Sequence, residues 1–309
     1  MPNKKSTLKS ESVVANKRLE VLKTYKIYIG GQFPRTESGR YYVAQNQKGK
    51  KLANVCLSSR KDVRDAVESA RNAFGGWSSR AAFNRGQILY RMAEMLEGRK
   101  EQFIQELTEM DATRIQAEKE VHLSIDSLIY YAGWADKYQQ VFSSVNPVAS
   151  SHFNFSTPEP MGVVGIIAPQ QTSLIGMVSL IASVIAGGNT CVVIGSYPKP
   201  LCAVTLAEVL HASDLPGGVV NILTGNPAEL TSWLAGHMDV NSIVFCEKDE
   251  VLTKVIQEKS ALNVKRVQLY QSVNWFEDSS RSPYFIYDFQ EIKTTWHPVD
   301  LTAGGGNKY

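Results

Sequence analysis

Hydrophobic residues follow two different rhythms along this chain. Between residues 25 and 45, apolar and polar side chains alternate around Gly30-Gly31 and Gly39, which predicts a hairpin pairing 25–29 with 40–44. A polar turn at 46–50 and a short strand at 52–57 follow. Ser58-Ser59 then opens a helix in which Val63, Ala66, Val67, Ala70 and Phe74 recur at helical spacing as far as Gly75-Gly76. Further helices are predicted over 81–98, 101–109 and 115–138. Residues 141–155, rich in Ser, Asn and Val, predict two exposed strands.

Beyond residue 160 the rhythm changes. Apolar runs at 162–168, 190–194, 219–223, 243–245 and 264–269 do not alternate, and helical stretches at 175–186, 201–213 and 229–236 lie between most of them. Strands that are apolar on both faces and joined through helices mean a parallel sheet covered on both sides. The predicted fold class is α/β, a doubly wound, mostly parallel open sheet. Such sheets bind ligands at the carboxyl ends of their strands, which places function at Pro169, at 194–198, at Thr224-Gly225 and at Cys246. A polar loop follows Tyr270. The aromatic and β-branched run at 284–296 then predicts a strand, and 300–309 a Gly-rich mobile tail.

Net charge over the 309 residues is +3, with a pI of 8.5. That bias is too weak to argue for nucleic acid, and no nucleic-acid partner is expected. No run approaches the roughly 18 apolar residues of a membrane helix, so no membrane partner is expected either. The first 26 residues carry seven Lys/Arg and two Glu without an apolar stretch, unlike a secretory signal. Residues 1–24 read as a basic flexible arm, the one feature suited to a charged surface, and the location as cytoplasmic. Four cysteines (Cys56, Cys191, Cys202, Cys246) and five histidines show no ligand spacing. No metal site and no disulfide framework are expected.

Several segments, in order and at matching spacing, make this chain resemble the aldehyde dehydrogenase superfamily over about residues 25–270. They are Ile27-Tyr28-Ile29-Gly30-Gly31, Tyr131-Ala132-Gly133-Trp134-Ala135, Pro160-Met161-Gly162-Val163-Val164-Gly165, Gly188-Asn189-Thr190 and Leu215-Pro216-Gly217-Gly218 through Thr224-Gly225. The resemblance implies a Rossmann-like cofactor domain with a small protruding β oligomerisation arm. It also implies where the family's working residues would fall. Where the family has Pro-Trp-Asn-Phe-Pro, whose Asn donates to the developing oxyanion, this chain has Pro169-Gln170-Gln171-Thr172-Ser173. Gln171 takes the Asn place with a side chain one methylene longer, and misplacing such a donor costs orders of magnitude.

The family's Lys-Pro-x-Glu, which holds the adenosine ribose, corresponds to Ile194-Gly195-Ser196-Tyr197. Ile194 has no donor and Tyr197 no carboxylate. In the family's phosphate-binding turn, Glu247 and Leu252 stand for the two glycines, although Gly225 is retained. Glu247, Asp249 and Glu250 put negative charge where a helix N-terminus would receive phosphate, partly offset by Lys248. The same residues suit the first turn of an ordinary helix. Tyr270 takes the place of the general base, and a phenol with a pKa near 10 is a poor base at neutral pH. The family's nucleophilic Cys lies in a later catalytic domain, and no Cys follows Cys246. The expectation is that the catalytic domain and every catalytic residue are absent.

Residues 288–296 resemble the strand with which the family's chains end, which joins a sheet in a dimer partner. Together with 141–155 they suggest the oligomerisation arm, with pairing to another subunit preferred over folding back on the same chain. The expected organisation is a cofactor-type domain from 25–138 and 158–275, with oligomerisation strands at 139–157 and 283–299. The expected function is that of a non-catalytic subunit, a pseudoenzyme, in a homodimer or in a hetero-oligomer with a full-length aldehyde dehydrogenase, without a cofactor. The alternative is an NAD(P)-binding oxidoreductase acting through other residues, and NAD is expected only under it.

Overall fold

The computed structural model describes residues 21–299. Residues 1–20 of the expected basic arm and the tail 300–309 lie outside the described residues. Thr24 opens β1 (Thr24–Tyr25), and the Lys23 carbonyl accepts the Asn54 N–H at 2.9 Å. β2 (Tyr41–Gln45) and β3 (Lys51–Cys56) follow. The hairpin here is β2–β3, and β1 lies parallel to β3. Residues 25–29 do not pair with 40–44. Gly30 and Gly31 have φ of 62° and 80°, a left-handed pair that folds the chain back at once and leaves 25–29 free to go elsewhere. Tyr28 exchanges backbone hydrogen bonds of 2.9 and 2.8 Å with Ile222. The alternating segment is therefore used at the margin of a different sheet.

α1 (Arg60–Ser78), α2 (Ala82–Gly98), α3 (Lys100–Glu109) and α4 (Arg114–Trp134) come next. Asp62 accepts the Ser59 N–H at 2.7 Å and fixes the start of α1. The helix runs through Gly75-Gly76 because Trp77 beyond them is buried and donates from Nε1 to the Ile185 carbonyl at 3.0 Å. α4 stops at Trp134, short of the predicted 138, and α5 (Tyr138–Phe142) is a separate short helix.

Two short strands, β4 (Ser144–Asn146) and β5 (His152–Pro160), leave the body. The chain then builds β6 (Val163–Ile167), α6 (Ile175–Ala186), β7 (Thr190–Ile194), α7 (Leu201–His211), β8 (Val220–Leu223), α8 (Pro227–Gly236), β9 (Val240–Phe245), α9 (Glu250–Ala261) and β10 (Arg266–Leu269). These strands form the expected parallel sheet, in the order β10-β9-β6-β7-β8. The lack of alternation has its explanation in two cores. Val164, Ile166, Cys191, Val193 and Val244 face the helices α6 and α7. Val163, Ile167, Val192, Ile194, Ile243 and Phe245 face α1, α8 and α9. Among the described residues no helix is long and apolar enough to cross a membrane.

The segment after β10 departs from its predicted strand. Tyr284–Tyr287 is a helical turn, α10, and only β11 (Gln290–Pro298) is extended. Pro283 sits at the head of the turn, and Ile286 is buried against α6. β11 pairs antiparallel with β5 over its full length, making the sheet β11-β5-β4. That corrects the preference for pairing with another subunit on this edge: β11 folds back on its own chain. β5 also extends to Pro160, across the expected 157/158 boundary.

One turn fastens this arm to the parallel sheet. Asn189 is buried; its Oδ1 accepts the Gly162 N–H at 2.9 Å and its Nδ2 donates to the Phe289 carbonyl at 2.8 Å. Tyr138 and Gln290 donate to the Gly187 carbonyl, each at 3.3 Å. Asn189→Ala orphans two buried backbone groups, each worth about 1–3 kcal/mol. The variant should lose about 2–4 kcal/mol of stability in urea unfolding. A loss below about 0.5 kcal/mol, the size of an ordinary surface substitution, would refute this bridging role.

Candidate functional site

In a doubly wound sheet, the strand order reverses at one point, and a crevice opens there beyond the carboxyl ends. In this chain β6 continues to β7 on one side, whereas β9 lies on its other side. The crevice is therefore bounded by the residues after β6, β7 and β9. Gln170, Ser196, Tyr197 and Glu247 converge on it.

They bond chiefly to one another. The Gln170 N–H donates to Glu247 Oε1 at 2.6 Å, across the switch point between β6 and β9. The Gln170 side chain donates to the Ala168 carbonyl at 2.8 Å and accepts the Tyr197 N–H at 2.8 Å, closing the β6–β7 side. Ser196 Oγ donates to the Gln170 carbonyl at 3.0 Å, and Lys199 Nζ to the Gln171 carbonyl at 2.7 Å. Tyr197 stacks on Tyr42 with ring centroids 4.7 Å apart, and the Tyr42 hydroxyl donates to the Tyr197 carbonyl at 3.2 Å.

The remaining positions singled out in the sequence are scattered. Gln171 is exposed, and its carbonyl, held by Lys199, is its link to the cluster. Ile194 is fully buried in the core beneath α1 and α8. Leu252, half-buried, packs on that same core, and its N–H donates to Asp249 Oδ1 at 2.9 Å, the side-chain cap of α9. Gly225 has a φ of 149°, and a Cβ there would lie 3.1 Å from Leu230 and 3.2 Å from the Ser58 nitrogen, so turn geometry accounts for it. Tyr270 is buried and donates its hydroxyl to Asp288 at 2.5 Å, tying β10 to the segment before β11. Burial and the Asp288 carboxylate hold the phenol well above its ordinary pKa. Cys246 is buried, and desolvation, helped by the Glu247 charge, pushes its thiol up. Both shifts oppose the deprotonated forms that catalysis needs. Among the described residues no group of three or more His, Cys, Asp or Glu is placed to hold a metal.

Sequence reasoning missed the residue that organises the crevice floor. Glu120 on α4 is buried, and its Oε1 accepts the N–H groups of Ser173, Leu174 and Ile175 at 3.1, 2.8 and 3.2 Å. A carboxyl group thus occupies the N-terminus of α6 and gives its orphan donors a partner. A signal exists in the sequence: Glu120 interrupts the buried stripe Ala117, Val121, Ser124, Leu128, and an acidic residue on an apolar helix face asks for a partner.

Burial raises the Glu120 carboxyl, outweighing the three N–H donors and Lys199, which lower it. The folded state therefore keeps this proton at pH values where the unfolded chain, with a carboxyl near 4.3, has released it. Stability from this position is complete below that value and is lost as pH rises through the folded one. Glu120→Gln removes the titration. Its stability relative to wild type should rise with pH from about 4 upward, read by urea unfolding across a pH series. A difference independent of pH would contradict this account.

The sequence pattern of the Aldehyde dehydrogenase family matches residues 33–274. Cytosolic 10-formyltetrahydrofolate dehydrogenase of Mus musculus is 32% identical over 279 residues, which is 88% of this chain and 30% of that protein. An aldehyde dehydrogenase from Bacillus cereus, solved with NAD+, is 27% identical with a TM-score of 0.75, over 80% of this chain and 50% of that one. HpcC from Thermus thermophilus gives 26% and 0.76, over 80% and 48%. The chain thus spans about 30% of the length of the first curated relative and about half of these solved structures. Sequence, sheet topology and these likenesses agree: this chain belongs to the aldehyde dehydrogenase family.

Proposed function

We propose that this chain is a non-catalytic member of its family whose function is association, with a second copy or with a full-length aldehyde dehydrogenase. The observation that carries the proposal is the 2.6 Å hydrogen bond from the Gln170 N–H to the Glu247 carboxylate at the switch point. A carboxylate of the protein occupies the place where the family resemblance puts a cofactor phosphate. Displacing it would orphan the Gln170 N–H and bring two like charges together. At the head of α9, Asp249 already caps the helix, and Glu250 adds a further negative charge. These residues do not fit a dinucleotide.

The supporting features point the same way. The Tyr270 hydroxyl is committed to Asp288, all four cysteines are buried, and the segment 270–289, where the resemblance places the catalytic domain, holds only short turns. The strands of the arm, by contrast, are fully formed.

Titration calorimetry with NAD should give no binding heat at millimolar ligand, and the melting temperature should not move. A genuine binder at a hundredfold excess over its dissociation constant would gain about 2.7 kcal/mol, several degrees in a domain of this kind. Such a shift would overturn the non-catalytic reading in favour of an NAD-binding oxidoreductase. Association is checked by the sedimenting mass of the chain alone and coexpressed with a full-length family member. A strict monomer in both would refute the associative role.

A further inference from the structure

The outer edge of β11 carries a specific pattern. β11 is a nine-residue strand at the margin of the arm sheet. Among the described residues no strand pairs with its other side. The register with β5 determines what that side displays. The Val299 N–H donates to the Ser151 carbonyl at 3.0 Å, continuing the ladder in which Pro298 stands opposite His152. Backbone groups of successive strand residues point to opposite sides. Odd-numbered residues of β11 therefore bond toward β5, and Gln290, Ile292, Thr294, Trp296 and Pro298 turn their backbone groups outward. Pro298 has no N–H. The Gln290 carbonyl already accepts from the Arg266 guanidinium at 2.6 Å. The residues that offer both a free donor and a free acceptor are Ile292, Thr294 and Trp296.

We infer that this edge pairs antiparallel with the same edge of a second copy, on a two-fold axis through Thr294. The inference rests on the associative role proposed above and names its surface and partner. With Thr294 opposite its own mate, Ile292 of each copy falls opposite Trp296 of the other. Both pairs are of the hydrogen-bonded kind, which exchange two N–H···O bonds each, so every open group on the three residues is satisfied. Pro298, lacking a donor, falls opposite Gln290, whose carbonyl is already occupied.

The side chains agree with this register. Ile292 is 46% exposed and Trp296 56%, both on one face of the strand. The pairing sets each isoleucine beside a tryptophan, a favourable cross-strand pair. On the other face Glu291 falls beside His297 and Lys293 beside Thr295, with no like charges opposed. Neighbouring registers are worse. An axis at Lys293 sets two lysines face to face. An axis at Thr295 puts the donorless Pro298 opposite the free Ile292 carbonyl and Lys293 beside His297.

Cysteine crosslinking tests the register in the full chain, where the four natural thiols are buried. Hydrogen-bonded antiparallel partners have Cα atoms about 5.5 Å apart, within disulfide reach. Thr294→Cys should form a covalent dimer under mild oxidation. Ile292→Cys alone should not, but mixed with Trp296→Cys it should. Thr294→Pro leaves the β5 ladder intact because its N–H faces outward, and should weaken dimerisation at least about tenfold. Trp296→Lys should weaken it in the same direction. Unchanged circular dichroism and melting establish that each variant is folded.

The readings are separable. A dimer that forms no Thr294 disulfide and tolerates Thr294→Pro uses another surface, which overturns the pairing and leaves association standing. So does a chain that is monomeric alone but binds a full-length family member. A monomer with no partner of either kind overturns both.

Discussion

The fold depends on a single buried amide. Asn189 needs its oxygen for the Gly162 N–H, which leads into β6, and its nitrogen for the Phe289 carbonyl, which leads into β11. Thr190 closes the same junction by donating to the Gly162 carbonyl at 3.1 Å. An aspartate has no donor for Phe289, and an apolar residue of that size has neither group. A glutamine would push the amide beyond the position where both partners lie. Because Gly187, two residues earlier, receives Tyr138 and Gln290, the ends of α4–α5, β6 and β11 meet at one turn.

At the opposite end of the sheet, polar groups are present in number but engage each other. Glu247 bonds Gln170, Gln170 bonds Tyr197, and Lys199 bonds Gln171. Glu120 below them accepts the N–H groups at the head of α6. A buried polar group that has its partners costs little, whereas one stripped of them costs about 1–3 kcal/mol. A crevice built this way resists a ligand twice over. The ligand must supply its own contacts and must also compensate for every bond it displaces. In this crevice the polar side chains hold one another in place.

Much of the fold is legible in the sequence, and the limits of legibility have specific causes. Residues 175–186 and 190–194 coincide with α6 and β7 because long apolar runs flanked by Gly and Pro leave few choices. The alternation of 25–29 correctly marks extended chain, yet its partner Ile222 lies far along the sequence, and periodicity carries no information on non-local pairing. Tyr284–Tyr287 has the composition of a strand, and burial of Ile286 against α6 overrides that propensity. At the candidate site, Glu247 and Tyr270 stand out in the sequence as replacements, but their partners Gln170 and Asp288 do not. Residue type indicates what a position cannot do. Only the neighbours in space reveal what it does instead.

The two ends of the parallel strands can change independently, so the crevice and the arm are separate in their energetics. A five-residue strand such as β6 separates its ends by roughly 15 Å at about 3.3 Å per residue. Sites more than about 7–10 Å apart without shared partners contribute additively to stability. Replacements around Gln170 and Glu247 therefore do not reach the Asn189 turn through packing, and those around Gln290 do not reach the crevice. Edge devices on β11 work within the same separation. Lys293 pairs with Glu159 at 3.3 Å and Arg266 caps Gln290, while Pro298 removes a donor. Charge and proline on an edge ordinarily prevent indiscriminate strand pairing. Arg266 at the Gln290 end and Pro298 at the other leave a short central stretch open, and an edge restricted in this way selects its partner by register rather than by hydrophobicity.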